Sequence, residues 1–305
     1  MTGTTADPKH STSTLDLVKL ASLMTLTRGS SQIRIGLIDG PVDLNHSDFA
    51  VSRIETITIK KDAACLNSKS HACAHGTFVA GMLSAMPGAA APAICPGCVL
   101  LVRPIFFDTI GGTNEQPSAN PAELGAAIFD CIRAGARVIN LSLALVRRSP
   151  RVESILKSAL DEAMMRGVVI VAAAGNQSSI GSGEITGHPW VIPVAACDGN
   201  GLPYSYSNCG LSIGGRGLSA PGNGVASSGM GTQTRALGGT SISAPFVTGT
   251  VALLWSMFPS ATGQEVRSAV TLAGVQRRVS IVPPLLDAWT AYQVLANQFG
   301  GERVQ

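Results

Sequence analysis

Aromatic side chains, charges and long apolar runs are all scarce in this chain of 305 residues. Aromatic residues make up 5% of the chain and charged residues 13%, against 45% hydrophobic residues. A buried core must therefore consist mainly of Ala, Val, Ile and Leu. The apolar runs, at 168–174 and 251–255, fall far short of the ~20 residues that a membrane-spanning helix needs. The sequence thus predicts no membrane partner.

An excess of charge of one sign is also missing. The chain holds 22 basic and 19 acidic residues, a formal net charge of +3. Its basic residues cluster in nothing longer than pairs, such as Arg147-Arg148 and Arg277-Arg278. Domains that bind nucleic acid usually carry an extended basic patch. The composition therefore predicts no nucleic-acid partner, and it says nothing about the oligomeric state.

The N-terminal region lacks the pattern of a secretory signal. Its first apolar stretch, 15–26, is interrupted by Asp16 and Lys19, whereas a signal peptide needs an uninterrupted apolar core. Without such a signal, the seven cysteines are read as mostly reduced thiols. We therefore expect a cytoplasmic protein. A secreted protein that has lost an N-terminal pro-region is the alternative.

Apolar β-type segments alternate with helical segments along most of the chain. Strands without polar alternation are buried on both faces, as in a parallel sheet. We predict an α/β fold with a mainly parallel central sheet and one domain over 15–297, between a disordered tail at 1–14 and a C-terminal tail at 298–305. The predicted strands include 33–38, 99–106, 137–143, 168–173 and 190–195, and the predicted helices include 15–27, 75–86, 121–134, 151–166, 240–258, 262–272 and 286–297.

Three segments carry a polar side chain where the carboxyl ends of parallel strands place a site. Asp39 ends an apolar strand, His75 opens a helix of small residues, and Ser241 opens a helix after Gly-Gly-Thr. A serine nucleophile needs a base to take its proton, and that base needs an acid to orient it. Taken singly, the three residues have structural readings as a turn former, a packed histidine and an N-cap. Together, in this order within one α/β domain, they predict a catalytic triad.

From about residue 30 to about residue 296 the chain resembles the subtilisin-like serine proteases, or subtilases, whose triad also runs in the order Asp, His, Ser. The resemblance implies a single-domain, three-layer α/β fold and a serine endopeptidase. It implies that Asp39 orients His75, that His75 is the general base and acid, and that Ser241 is the nucleophile. It implies no cofactor.

The resemblance also implies an oxyanion hole and a substrate cleft. The segment ending in Asn176 is similar to the family's oxyanion loop, where the side-chain amide acts beside the backbone N–H of Ser241; a plain turn residue is the alternative for this Asn. The strand at 138–144 would pair with an extended peptide, and Gly183 would form the floor of the first pocket. The residues implied in substrate binding are Gly111, Gly112, Ser142, Leu143, Ala144, Ala173, Ala174, Gly175 and Gly183.

Within the family, the chain is most similar to the cyanobactin-type proteases. The similarity rests on Asp-Gly-Pro-Val-Asp at 39–43, Cys-Ala-His-Gly-Thr at 73–77, and Cys-Pro-Gly-Cys at 95–98 followed by Val-Arg-Pro-Ile-Phe at 102–106. These enzymes cut ribosomally made precursor peptides, and some of them join the ends of the core peptide with the help of a helical insert. Only 36 positions separate Asp39 from His75, too few for that insert, so we expect hydrolysis.

Three other functions remain open at this point. A secreted or periplasmic degradative subtilase would share every catalytic residue. A peptide macrocyclase would need another way to exclude water from the acyl-enzyme. A catalytically dead protein that only binds peptides would need none of Asp39, His75, Asn176 and Ser241, so their joint presence argues against it. The expected partner in each case is a peptide.

Metal ligands are few. The segment after the predicted His75 helix lacks the calcium-binding loop that subtilases usually carry there, and Asp48 alone cannot supply the six to eight oxygens that Ca²⁺ prefers. A zinc site at His71, Cys73, Cys95 and Cys98 is an alternative that the spacing permits. We expect no metal.

The cysteines allow three readings. The pairs Cys65–Cys73 and Cys95–Cys98 are candidate disulfides, which the sequence favours over zinc. Free thiols are favoured over both. Cys131, Cys197 and Cys209 lie in apolar or turn contexts, so we expect structural roles for them.

Overall fold

A computed structural model of the chain describes residues 14–57, 65, 70–106, 120–142, 153–273 and 280–300. Of the residues predicted to bind substrate, Gly111, Gly112, Leu143 and Ala144 lie outside this set, as do most of the predicted N-terminal tail and 301–305 of the C-terminal tail. Within the described part, no helix is both long and apolar enough to cross a bilayer.

The described residues form a central sheet of seven parallel strands in the order β2-β3-β1-β4-β5-β6-β7. Apart from the edge strand β2, these strands are buried along nearly their whole length. This confirms the predicted α/β fold with its mainly parallel sheet. The strands are β1 (Arg34–Asp39), β2 (Ile54–Thr56), β3 (Val99–Pro104), β4 (Val138–Leu141), β5 (Val169–Ala173), β6 (Ile192–Cys197) and β7 (Leu218–Pro221), and an antiparallel hairpin follows as β8 (Val225–Ser228) and β9 (Thr234–Leu237).

Helices cover both faces of the sheet and complete three layers. Successive residues of a strand point to opposite faces, so Leu37 packs with Phe78 and Trp255 in one core while Ile38 packs with Leu124 and Leu156 in the other. The helices are α1 (Leu20–Leu26), α2 (His71–Ser84), α3 (Pro121–Arg133), α4 (Glu153–Met165), α5 (Glu184–Gly187), α6 (Leu211–Arg216), α7 (Thr240–Met257), α8 (Gly263–Leu272) and α9 (Ala288–Phe299).

Helix α2 begins earlier than the sequence predicts. Its N-cap is Ser70, whose hydroxyl oxygen accepts a hydrogen bond from the backbone N–H of Cys73. His75 was predicted to open this helix, but it lies one turn inside. The cap therefore places the imidazole on the side wall of the helix rather than at its end.

The ends of the domain also differ from the prediction. Thr14 was assigned to the disordered tail, but it is buried and starts a helical turn at 14–17. This turn is separated from α1 by Lys19, which has a left-handed backbone (φ 52°). At the other end, α9 continues to Phe299, two residues beyond the predicted boundary at 297. Strand β7 and the β8–β9 hairpin were not predicted, because their Ser- and Gly-rich sequences lack a clear apolar pattern.

Candidate active site

The three predicted triad residues lie in one chain of hydrogen bonds. Asp39 ends β1, His75 comes from α2, and Ser241 lies in the first turn of α7. The Nδ1–H of His75 donates to Asp39 Oδ1 at 2.8 Å, and the Ser241 hydroxyl donates to His75 Nε2 at 3.0 Å. This is the arrangement in which a serine proton can pass to an oriented imidazole. The structure thus brings together residues 36 and 166 positions apart.

Asp39 is only 1% exposed and sets the protonation behaviour of His75. Its Oδ1 also accepts from the backbone N–H of Gly40 at 2.6 Å, which holds the carboxylate in place. Burial by itself lowers the pKa of His75. The negative charge of Asp39 and its hydrogen bond outweigh burial, so the pKa of His75 is raised above its ordinary value.

Two glycines allow the Asp39 loop and helix α2 to approach at backbone distance. A Cβ atom on Gly40 would lie 2.0 Å from the carbonyl oxygen of Ala72. A Cβ on Gly76 would lie 2.4 Å from the carbonyl oxygens of both Gly40 and Pro41. Both distances are far inside van der Waals contact, so only glycine fits at either position. This packing places the His75 ring beside the Asp39 carboxylate.

Asn176 contacts the N-terminal turn of the nucleophile helix. Its Oδ1 accepts from the backbone N–H and from the hydroxyl of Thr240, each at 3.0 Å. A Cβ on the neighbouring Gly239 would lie 2.9 Å from Asn176 Nδ2. Because the amide oxygen of this exposed residue is occupied by Thr240, its NH₂ group is the end that remains available as a donor.

Asn208 holds the loop that carries Asn176, and sequence reasoning missed it. Its backbone N–H donates to the carbonyl of Gly175 at 2.9 Å, and its side-chain amide donates to the carbonyl of Ala174 at 3.0 Å. Its Oδ1 accepts from the backbone N–H of Gln177 at 3.0 Å. No local pattern marks this role, because all of these partners lie 31 or more positions away along the chain.

Two of the residues predicted to bind substrate contact the nucleophile turn, and a third lies next to one of them. Ser142 donates its hydroxyl to the backbone carbonyl of Ser241 at 3.0 Å. Gly175, with φ +101°, donates its N–H to the hydroxyl of Thr240 at 3.1 Å. Ala174 precedes it and is buried. Their contact with a peptide remains a prediction.

Two more residues of that set lie within the described part of the chain. Ala173 is buried at the end of β5. Gly183 is exposed at the start of α5, where its N–H donates to Thr186 Oγ1 at 2.9 Å. No hydrogen bond among the described residues joins Gly183 to the triad, so its place in a substrate pocket also remains a prediction.

Cys65 and Cys73 form a disulfide. The preferred prediction of free thiols is therefore wrong for this pair. The structure contains the disulfide that the sequence offered as the alternative. The bond joins α2, two residues before His75, to the preceding segment, and Met230 of the β8–β9 connection packs against it. The reason is spatial: the two Cα atoms lie 5.7 Å apart, within the usual range for a disulfide.

The disulfide also bears on the zinc alternative. Cys73 cannot ligate a metal while it is bonded to Cys65, so the four-residue set loses one member. Among the residues that the structure describes, no three His, Cys, Asp or Glu side chains are grouped to hold a metal. The remaining cysteines are free thiols: Cys95, Cys98, Cys131, Cys197 and Cys209.

Asp48 is used within the protein. Its Oδ2 accepts a hydrogen bond from the hydroxyl of Ser228 at 2.7 Å and lies 3.6 Å from Nδ1 of buried His46. These contacts tie the loop after Asp39 to strand β8. They give the carboxylate structural partners within the described part of the chain.

Comparison with known proteins gives concordant matches. The profile of the Subtilase family matches residues 30–282. Subtilisin DY of Bacillus licheniformis is 29% identical over 266 residues, which cover 84% of this chain and 89% of the relative.

Solved structures give the same result at the level of the fold. The prenylagaramide maturation protease PagA superposes with a TM-score of 0.78 at 25% identity. The aligned region covers 90% of this chain and 98% of the PagA chain. A mutant of the protease domain of PatA superposes with a TM-score of 0.78 at 28% identity, with the same two coverages.

Proposed function

This chain belongs to the Subtilase family of serine endopeptidases. We propose that it trims a ribosomally made precursor peptide by hydrolysis, with Asp39, His75 and Ser241 as its catalytic residues. The observation that carries the proposal is the continuous chain of hydrogen bonds from the Asp39 carboxylate to the Ser241 hydroxyl. The likeness to PagA, a protein described as a maturation protease, supports the choice of substrate class.

The hydrogen bonds of the site support the following steps of acyl transfer. Ser241 Oγ attacks the scissile carbonyl carbon while its proton passes to His75 Nε2. The Asp39 carboxylate stabilises the imidazolium that forms. The oxyanion accepts hydrogen bonds from the Asn176 NH₂ group and the Ser241 backbone N–H. His75 then protonates the leaving amine, and the acyl-enzyme remains on Ser241.

Deacylation repeats these steps with water. His75 takes a proton from the water as its oxygen attacks the acyl carbon, and then returns a proton to Ser241 Oγ. The product is a peptide with a free carboxyl end. The 36-position interval between Asp39 and His75 supports this outcome over cyclisation, which requires that water be excluded and that the incoming N-terminus be held close.

Active-site labelling tests the chemistry. A fluorophosphonate probe should label the protein, and mapping of the labelled peptide should place the adduct on Ser241. Ser241→Ala should abolish labelling and lower turnover by about 10⁶-fold, the loss found when the serine of a subtilisin is removed, while the far-ultraviolet spectrum stays unchanged. Labelling at another residue, or near-normal hydrolysis by the variant, would refute the assignment.

A cleavage experiment tests the substrate class and the reaction outcome. The enzyme is incubated with candidate precursor peptides and with an unrelated peptide library in water enriched in heavy oxygen. The proposal expects cleavage at one or a few sites of a precursor and one heavy oxygen in each new carboxyl end. Broad cleavage of the library would identify a degradative protease instead, and unlabelled cyclic products would identify a macrocyclase.

The cellular location is a separate proposal. We propose a cytoplasmic enzyme; a secreted one is the alternative, and the Cys65–Cys73 disulfide of the structure favours that alternative. Disulfides persist mainly in oxidising compartments, so the redox state of Cys65 and Cys73 in protein taken directly from cells is informative. Intact-mass measurement after rapid thiol blocking should find both thiols blocked in a cytoplasmic enzyme, and both unreactive in a secreted one.

A further inference from the structure

The backbone carbonyl of Ser241 lacks its normal helical partner. In an α-helix this oxygen would accept a hydrogen bond from the N–H four residues later. That residue is Pro245, which lies inside α7 and has no N–H. The first turn of α7, which carries the Ser241 hydroxyl, therefore loses one of the bonds that would hold it to the rest of the helix.

Ser142 supplies the missing donor. Its hydroxyl donates to the Ser241 carbonyl at 3.0 Å from a residue 99 positions earlier in the chain. Ser142 follows directly after β4 and is only 5% exposed. The replacement bond therefore comes from the rigid sheet rather than from the helix.

Two further side chains fix the direction of this bond. The Asn140 amide donates to Ser142 Oγ at 2.7 Å, which directs the Ser142 proton towards Ser241. The hydroxyl of Thr248 donates to Asn140 Oδ1 at 2.7 Å, which fixes the orientation of the amide. Asn140 and Thr248 are both fully buried. Thr248, Asn140 and Ser142 thus form a hydrogen-bond relay. It runs from the middle of α7, through β4, and back to the first turn of α7.

We propose that Ser142, oriented by Asn140 and Thr248, is a positioning residue that holds the first turn of α7 so that Ser241 Oγ faces His75. The proposal rests on the proposed role of Ser241 as nucleophile. It assigns to the Ser142 side chain a role that is separate from any pairing of the 138–144 backbone with a peptide. No part of the relay touches the reacting atoms; it acts through the backbone of Ser241.

Ser142→Ala is the direct test, read with a small fluorophosphonate that does not occupy the peptide cleft. Misplacement of a reacting group by a fraction of an ångström to one ångström costs about 10- to 100-fold in rate, so labelling and kcat should both fall by that factor while KM changes little. A merely substrate-binding serine would raise KM and leave labelling unchanged, and that result would overturn the proposal.

A second variant tests the link to the proline. Pro245→Ala restores an N–H at the position from which a helix donates to the Ser241 carbonyl. In that background, Ser142→Ala should cost at least about fivefold less in labelling rate than it does in the unmodified enzyme, because the two residues supply the same bond. An equal cost in both backgrounds would overturn the proposal.

Two threonines of α7 provide a matched pair that does not depend on whether Ser142→Ala folds. Thr248→Val cuts the far end of the relay and should lower the labelling rate by a few fold. Thr250 is equally buried, but its hydroxyl donates to the carbonyl of Phe246 and lies outside the relay. Thr250→Val should therefore label at the unmodified rate, and equal effects of the two variants would count against the relay.

The same experiment separates the two proposals. An unmodified enzyme that is not labelled at Ser241 refutes the proposed function. An enzyme that is labelled at Ser241, with Ser142→Ala labelled at the same rate and with the same melting temperature, refutes only the positioning role.

Discussion

The Asp39–His75 half of the active site and the Ser241–Asn176 half are held by different kinds of contact. In the first half, Gly40 and Gly76 bring two backbones together at distances that leave no space for a Cβ atom. In the second half, the hydroxyls of Ser142 and Thr240 donate hydrogen bonds that hold the nucleophile turn and the Asn176 amide.

The difference predicts how each half fails. Backbone contacts cannot adjust to an added methyl group, because backbone atoms move only when the whole helix moves. Side-chain hydrogen bonds can be removed without adding volume, so the fold survives while the angle and distance of the reacting groups change. The first half should therefore lose stability together with activity, and the second half should lose kcat alone.

The largest effect tests the charge in the first half without touching its packing. Asp39→Asn keeps the volume, but the amide no longer holds the His75 tautomer that accepts the serine proton. The expected fall in kcat is about 10⁴-fold, with the melting temperature changing much less than for an added Cβ. Steady-state kinetics and calorimetry measure the two effects. A fall of less than tenfold would show that Asp39 does not orient His75.

The pH profile of the same variant gives the sign of the electrostatic effect. His75 must be neutral to act as a base, so activity is lost as the pH falls through its pKa. Asp39 raises that pKa against the opposing effect of burial. Without the carboxylate the pKa should drop, and the acid limb of kcat/KM for the residual activity should move to lower pH. An unmoved or raised limb would contradict this account.

Asn176→Ala removes the proposed oxyanion donor from the second half. The amide meets the oxyanion only as it forms, so kcat should fall by roughly 10²- to 10³-fold, as for the corresponding change in a subtilisin, with little change in KM. The melting temperature should stay close to that of the unmodified enzyme. Asn200→Ala, at an exposed turn residue, is the control and should change neither quantity. A large KM effect with normal kcat would contradict the assigned role.

Gly76→Ala tests the steric account of the first half. The new Cβ would overlap two carbonyl oxygens at 2.4 Å, so α2 must shift. We expect a loss of about 1–3 kcal/mol in the free energy of unfolding and about 10²-fold in kcat/KM as His75 is displaced. Gly215→Ala is the matched control, because a Cβ there meets no atom within 4 Å. If both variants unfold at the same temperature, the close packing does not matter.

Asn208→Ala should give the smallest effect, since it acts through the loop that carries Asn176. Loss of its amide bonds to the loop should lower kcat by about tenfold. In the Asn176→Ala background the same substitution should have almost no further effect on kcat, because the group that it positions is already gone. Full additivity of the two losses would show that Asn208 acts elsewhere.

The candidate catalytic residues could be read from the sequence because their signals are local. Asp39 at the end of an apolar run, His75 among small residues and Ser241 after Gly-Gly-Thr each belong to a short segment that reads without knowledge of its neighbours. Their order along the chain restricts the reading to one family. The central strands were predictable for the same reason, since unbroken apolar runs indicate strands with two buried faces.

The supporting contacts were not predictable because they join distant segments. Ser142 was read from its strand as a substrate contact, but its hydroxyl meets the carbonyl of Ser241, 99 positions away. Asn208 sits in a turn-like sequence that gives no sign of the loop at 174–177. The start of α2 was misplaced because Ser70 acts as a cap only when its backbone takes the extended conformation seen here.

The sequence by itself determined the fold class, the family, and the identity and order of the candidate catalytic groups, because each can be read from short segments and from the order in which those segments follow one another along the chain. Only the tertiary structure decided that Cys65 pairs with Cys73, that Gly40 and Gly76 must lack side chains, and that Ser142 replaces the donor that Pro245 removes. These facts depend on distances of a few ångströms between segments far apart in the chain. Such distances are fixed by how the helices pack on the sheet, which no local pattern encodes.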